Sequence, residues 1–345
     1  MLERSLRNRY SRQTIFPGIG EDGQARLVKS KAVIIGCGAL GSNVAVLLAR
    51  AGVGSLTIVD RDFIEVHNLQ RQVLFNEEDI KAGLPKAVAA ERRLRKINST
   101  IDIRGIIADV NYTNIEEFCR GADVIVDGLD NAETRYLIND AALKHRIPWV
   151  YGGAIAANGM TMTIVPGRTP CFRCISPVTP TPETTLTCET AGIVGTAPAI
   201  IGALQATEAM KLIIGKDEIN PCLIYVDVWG GFFDRIEVKS REGCPACNGK
   251  YEYLEKKFEE KVTSLCGQSR AVQVLDTRIK SVAFDKIVKR LGKDVKNIIK
   301  NDYMLSFQAG DQEIMVFQDG RAIVKNTISN SEASGLFDKY VRRNI

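Results

Sequence analysis

Histidine is nearly missing from this chain of 345 residues: only His67 and His145 occur. A nicotinamide-dependent dehydrogenase needs an acid or base at its hydride site, and neither histidine is placed for that work. His67 falls in an irregular stretch, and His145 closes a predicted helix, where it complements the dipole. No apolar run approaches the length of a membrane span. The charged N-terminus, MLERSLRNRYSRQ, lacks the apolar core of a signal peptide, so a cytoplasmic protein without a membrane partner is expected. A basic block is lacking too. The net charge of +5 reads as spread along the chain, which argues against nucleic-acid binding. Internal repeats and low-complexity tracts are absent.

What is present centres on residues 31–60, KAVIIGCGALGSNVAVLLARAGVGSLTIVD. A short apolar run enters Gly36-x-Gly38-x-x-Gly41. An apolar segment of helical length follows, then a Gly-Val-Gly stop and a second apolar run ending on Asp60. The pattern predicts strand, turn, helix, strand. Gly36 permits the tight turn, Gly38 lets a phosphate approach the backbone, and Gly41 lets helix and strand pack closely. The helix N-terminus offers free N–H groups to an anion. Asp60, at the tip of the second strand, is placed to accept hydrogen bonds from a ribose.

Further strands are predicted at 101–108, 124–127, 148–152, 161–165 (alternating, as if exposed), 223–227 and 234–239, with helices between several of them. Together these predict an α/β fold: a Rossmann-like, mostly parallel sheet with an antiparallel extension. Its domain is expected over 1–248, including a buried helix at 195–214. A charged linker helix at 249–261 and a small C-terminal α+β domain at 262–345 follow. In that last domain 272–275, 287–299, 303–307, 313–317, 322–325 and 332–341 read as elements, and Asp319-Gly320 as a hairpin turn.

Nine cysteines in a cytoplasmic chain point to metal binding or thiol chemistry sooner than to disulfides. Cys171-x-x-Cys174 and Cys244-x-x-Cys247 supply the ligand count of a closed, structural Zn²⁺ site. With so long a gap between the pairs, the metal would clip the loop 166–189 to the end of the domain. Cys188 lies in that loop just before an apolar helix, and reads equally as nucleophile or as inert thiol. Arg71, Lys86 and Asp130 are predicted at the same sheet edge as the glycine turn. Lys86 sits at a helix start, where its charge opposes the dipole and calls for an anion. The set describes a polyphosphate site with a carboxylate available for Mg²⁺.

Arg9-Tyr-Ser-Arg12-Gln13, the Gly36 motif, Asp60, Asn68-Leu-Gln-Arg71-Gln72, Lys86, Asp130-Asn131, both CxxC pairs and the LTC-x-x-AG segment around Cys188 occur in the order of the MoeB/ThiF adenylyltransferases. The chain resembles that family, relatives of the ubiquitin-activating enzymes, over residues 5 to about 248. The resemblance implies adenylation of the C-terminal glycine of a ubiquitin-like sulfur carrier ending in Gly-Gly, using ATP and Mg²⁺ and releasing pyrophosphate, for thiamine or molybdenum-cofactor sulfur transfer. It assigns the ribose to Asp60, the phosphates to Arg71 and Lys86, the triphosphate region to Asn68, and Mg²⁺ with pyrophosphate to Asp130. Arg12 resembles an arginine that homodimers insert into the partner's active site. In the thiazole branch, the cysteine matching Cys188 is implicated in a covalent link to the carrier, whereas elsewhere a cysteine desulfurase or other donor brings the sulfur. The tail from Val262 resembles neither branch. An idle scaffold of the same fold, or adenylation of another carboxylate, is the competing expectation.

Overall fold

The computed structural model describes residues 4–179, 188–216, 218–255, 260–265, 270–292 and 294–345. They fall into two compact units, 1–256 and 257–345.

In the first unit the apolar runs form β1 (Lys31–Ile35) and β2 (Ser55–Asp60). They are joined by β3 (Asp102–Ile107), β4 (Val124–Asp127), β5 (Trp149–Ile155), β6 (Asn158–Ile164), β7 (Leu223–Asp227) and β8 (Phe232–Ile236) in the order β3-β2-β1-β4-β5-β6-β7-β8. The pairs from β3 through β5 are parallel, and β6, β7 and β8 extend the sheet antiparallel. Parallel strands covered on both faces need apolar residues on both, which is why Ala32–Ile35 and Val124–Val126 read as unbroken apolar runs.

The helix Ala39–Ala51 packs Val44, Ala45, Leu48 and Ala49 inward and stops at Gly52. That residue takes φ +83° and donates its N–H to the Leu48 and Ala49 carbonyls. Because β2 and β4 flank β1 on opposite sides, the strand order reverses there, and a crevice opens at the carboxyl ends of β1 and β4.

Several expectations are corrected. The strand at 161–165 is not an exposed one: Thr161, Met162, Thr163 and Ile164 are all buried, because β6 lies between β5 and β7 and under the helix Thr196–Ile214. That helix, 19 residues long, is apolar enough by length and composition to cross a membrane, contrary to the sequence reading. Here it is a core helix. Its polar side chains are spent internally: Gln205 donates to the carbonyls of Asp127 and Val150, and Glu208 accepts from Thr163 and Asn220.

Within 249–261 the described residues are helical only at Glu252–Glu255. Leu254 is buried there in the first unit's core, and Tyr253 stacks on Tyr136 with ring centroids 4.8 Å apart. Net charge is not evenly spread either: the first unit is balanced, and the whole +5 resides in residues 257–345.

The second unit is a six-stranded antiparallel sheet. It consists of β9 (Glu260–Leu265), β10 (Ala271–Asp276), β11 (Val295–Lys300), β12 (Met304–Ala309), β13 (Gln312–Phe317) and β14 (Ala322–Lys325), in the order β11-β12-β13-β14-β10-β9. The stretch 287–299 is two elements, the end of the helix Phe284–Arg290 and most of β11. That helix and Asn330–Tyr340 pack Ile287 and Phe337 onto alternate strand residues, among them Val272, Val274, Phe307 and Val316.

Candidate active site

The glycine turn closes one wall of the crevice. Gly36 has φ +90°, and a Cβ there would lie 2.7 Å from the Gly128 carbonyl; a Cβ at Gly41 would lie 1.9 Å from the Gly36 carbonyl oxygen. Both positions therefore exclude any side chain, and the turn after β1 is locked to the loop after β4. Gly38 differs, for no protein atom comes within 3.8 Å of a Cβ built there. Room remains for a ligand to approach its backbone.

Asp60 is buried at the tip of β2, and its carboxylate already holds the turn. One oxygen accepts from the Cys37 N–H at 2.6 Å, the other from the Asp62 N–H at 2.7 Å. Each oxygen keeps a second lone pair for a ribose hydroxyl. Burial raises its pKa, and the nearby Lys86 ammonium works against that.

Lys86 starts its helix, Lys86–Ile97, after Pro85, and the anion it called for is Asp62, 3.0 Å from Nζ. Burial pulls the pKa of this lysine down. Asp62 and Asp60 outweigh that and hold its pKa above the ordinary lysine range, so it stays charged in the crevice. Arg61 and Asp109 add a pair at 2.5 Å, and both line the same space. Arg71 also lines it, its guanidinium donating to the His67 carbonyl at 2.7 Å. Asp130 lines it from the loop after β4 and is exposed.

Two expected residues stand elsewhere. Asn68 is buried outside the crevice lining, where its side-chain oxygen accepts the Glu65 N–H and closes a one-turn helix. Arg12 is exposed on the short helix Ser11–Thr14 and is not among the residues lining its own chain's crevice. The backbone of Cys188 begins the helix Cys188–Ala191, while its side chain lies outside the described residues, as does Cys266. Just beyond it, Gly192 and Val194 bond to Ala156, and Ile193 lines the crevice.

Sequence reasoning overlooked Arg61, Asp62 and Asp109, and with them a buried pair beneath the Asp130 loop, Asp127 and Arg135. A signal existed for the first three. Asp62 and Arg61 directly follow Asp60, and Asp109 follows β3 at the same sheet edge.

The four expected zinc ligands do meet. Sulfur–sulfur distances are 3.8 Å for Cys171–Cys174, 3.6 Å for Cys171–Cys244 and 3.7 Å for Cys174–Cys247, and all four sulfurs lie within 4.8 Å of one another. A zinc ion bonded at about 2.3 Å to four thiolates sets them about 3.75 Å apart, so the cluster fits tetrahedral Zn²⁺; disulfides, at about 2.05 Å, are excluded.

The model of the ThiF family matches residues 10–246, which contain the crevice and three of the four clustered cysteines, Cys171, Cys174 and Cys244. The chain belongs to the ThiF family. Over 341 residues, 97% of this chain and 100% of its counterpart, it is 40% identical to the sulfur carrier protein ThiS adenylyltransferase of Bacillus subtilis, a match that runs through the tail from Val262 and corrects the expectation that the tail resembles neither branch. The sulfur carrier protein adenylyltransferase of Thermus thermophilus is 38% identical over 247 residues, 70% of this chain and 90% of that protein. Among solved structures, Escherichia coli MccB with ATP superimposes with a TM-score of 0.61 at 27% identity, covering 70% of this chain and 74% of that one. These matches place the glycine turn, Lys86 and Asp130 within the region this ThiF-family chain shares with adenylyltransferases.

Proposed function

We propose that this chain is an adenylyltransferase that activates the C-terminal glycine carboxylate of a ubiquitin-like sulfur carrier with ATP, for thiamine or molybdenum-cofactor sulfur transfer. The observation that carries the reading is the crevice itself: a glycine turn and helix N-terminus, the cations Arg61, Arg71 and Lys86 and the exposed carboxylate of Asp130 meet, with Asp60, Asp62 and Asp109, at the switch point of the sheet. Full-length similarity to a ThiS adenylyltransferase supports the choice of substrate.

In the reaction a carboxylate oxygen of the carrier bonds to the α-phosphorus, the bond to the bridging oxygen breaks, and pyrophosphate leaves. No side-chain base is required, since the nucleophile is already an anion. The work is in-line positioning and neutralisation of charge. Asp60 holds the ribose while fixing the turn, Lys86 and Arg71 neutralise the phosphates, and Asp130 is the carboxylate available to Mg²⁺. Bound Mg²⁺ supplies charge neutralisation on the departing pyrophosphate. Arg12, exposed in the single chain, is assigned to the crevice of a second copy in a homodimer. The exposed apolar side chains of β7–β8 (Trp229, Phe232, Phe233 and Ile236) suit protein partners.

Zn²⁺ on the four cysteines is structural, since the closed thiolate shell leaves no ligand position for substrate. Four reduced thiolates suit a reducing compartment, and cytoplasmic location is proposed on that ground. Cys188 is assigned a covalent link to the carrier after adenylation: its thiolate displaces AMP from the acyl-adenylate to form a thioester, and the persulfide of a cysteine desulfurase or related donor then displaces the Cys188 thiolate, leaving the carrier as an acyl persulfide on the donor. Cys188→Ala should leave pyrophosphate exchange unchanged and remove any covalent adduct on non-reducing gels; loss of exchange would assign it to the adenylation step instead.

ATP–pyrophosphate exchange with Mg²⁺ and a panel of Gly-Gly-terminated carriers tests the whole reading. Exchange dependent on one carrier supports it and names the pathway. No exchange by folded, zinc-loaded protein overturns it in favour of another carboxylate or an idle scaffold.

A further inference from the structure

The loop that carries Asp130 is pinned from below by an ion pair that no step of the chemistry uses. Asp127, at the end of β4, has no exposed side-chain surface, and its Oδ2 lies 2.9 Å from Nε of Arg135 on the helix Ala132–His145. Its Oδ1 accepts the Leu129 N–H at 2.8 Å. The guanidinium donates onward to the Leu129 carbonyl at 2.6 Å and to the Gly152 carbonyl of β5 at 2.9 Å, and lies 5.4 Å from the centroid of the Tyr151 ring. Leu129, the residue just before Asp130, is thus held at both its N–H and its C=O by one buried pair. The same pair ties the tip of β4 to the middle of β5. Gly128 is packed against the Gly36 turn, so the loop has no slack on its other side.

A buried ion pair is weak evidence for stability, because desolvating two charges offsets most of their attraction. Its orientation here is more informative. Three of its hydrogen bonds end on backbone, two at Leu129 on the crevice rim and one at Gly152 within β5.

We propose that Arg135, aligned by Asp127, is a positioning residue that fixes Asp130 for metal and pyrophosphate in the adenylation step. The assignment rests on Asp130 having that role. Arg135 itself is not among the residues that line the crevice. A lysine at 135 would keep the charge beside Asp127 but lacks the planar fork needed to satisfy Asp127, Leu129 and Gly152 together.

The test is ATP–pyrophosphate exchange by full-length, zinc-loaded protein as a function of Mg²⁺ and of ATP, for wild type, Arg135→Lys, Asp130→Ala and the double variant. Arg135→Lys should lower kcat at least tenfold and raise the Mg²⁺ concentration for half-maximal rate several-fold, with KM for ATP changed by less than threefold. In the Asp130→Ala background the same substitution should cost no further rate, because both act through one carboxylate. Equal losses in both backgrounds, or a loss with an unshifted Mg²⁺ response, would make the pair merely structural and overturn the proposal. If Arg135→Lys does not fold, Asp127→Asn, which keeps shape and loses charge, is read by the same criteria. A wild type that exchanges nothing overturns the adenylation reading itself, an outcome distinct from a wild type that exchanges and a variant that matches it.

Discussion

At the scale of single residues, the crevice separates groups that build it from groups that face its ligand. Gly36, Gly41 and Asp60 build: each is tied to protein atoms at distances that leave no freedom. Asp130 faces outward, and its carboxylate is exposed to the crevice. Asp130→Ala should therefore lower pyrophosphate exchange at least a hundredfold, to a residual and still measurable rate, while the unfolding temperature moves by no more than a degree or two, since surface truncations cost about 0.5 kcal/mol or less. Exchange rates with melting curves on the same preparation check both halves, and unchanged exchange would refute the assigned role.

Legibility at this scale followed sequence distance. Gly36, Gly38 and Asp60 were readable because strand, turn and terminal acid occur within thirty residues with a fixed period. The Arg61–Asp109 pair closes over 48 positions, and a contact of that kind leaves no local pattern. Asn68 was assigned to the triphosphate region by motif alone. Its Oδ1 accepts the Glu65 N–H within its own turn, which occupies one acceptor site of an amide that also carries two donors.

At the scale of elements, two devices staple segments far apart in the chain. The cysteine cluster joins the helix Phe172–Ile175 to the turn at 244–247. Around it Arg173 pairs with Glu252 at 2.7 Å, and the Tyr253 N–H bonds Asp140. Cys174→Ser should release zinc and destabilise the first unit by several kcal/mol, because closing so long a loop is left to packing alone. Elemental analysis with thermal unfolding reads this, and a wild type without metal would remove the site.

The second device is Asp276 at the end of β10. Bonded by Arg278 at 2.7 Å and by Arg342 at 2.9 Å, its pKa is pushed down to about 2, chiefly by the Arg278 hydrogen bond. An unfolded aspartate titrates near 3.9, so the stabilisation is complete above about pH 4 and is lost as pH falls from there towards 2. Asp276→Asn should cost on the order of 1–2 kcal/mol at pH 7 and flatten the acid limb of the second unit's stability between about pH 4 and 2. Denaturant titrations at stepped pH would show a parallel acid limb in both proteins if the pair were inert.

Element types in the first unit were legible because period and punctuation agreed there. The failures came where burial overrode pattern. The polar threonines of β6 suggested an exposed strand, but Thr161 bonds the Tyr151 carbonyl and Thr163 bonds Glu208, so both are satisfied inside. The helix Phe284–Arg290 and β11 were merged because Ile287, Leu291, Val295 and Ile299 keep helical spacing across the stop that Gly292 offers.

At the scale of the whole molecule, sheet and core are duplicated rather than shared. Among the described residues, eight strands and their helices make one unit, and six strands with two α-helices make the other, each with its own buried cluster. Every residue assigned to adenylation, and all four cysteines, lies in residues 1–256. The Thermus thermophilus adenylyltransferase, 90% of which aligns with 247 residues of this chain, shows that a protein of that length carries the name without a comparable match to the rest. A chain ending at Lys256 should consequently fold, bind zinc and exchange pyrophosphate at a kcat within about threefold of the full-length protein. It would also lose the whole net positive charge, which gives a control: any change in rate that vanishes at high salt is electrostatic steering by the missing unit rather than damage to the crevice. Exchange by residues 1–256 at 50 and 300 mM salt, beside the full chain, separates these outcomes. A loss of kcat that persists at both, in a zinc-loaded and cooperatively unfolding truncation, would mean that residues 257–345 take part in the chemistry.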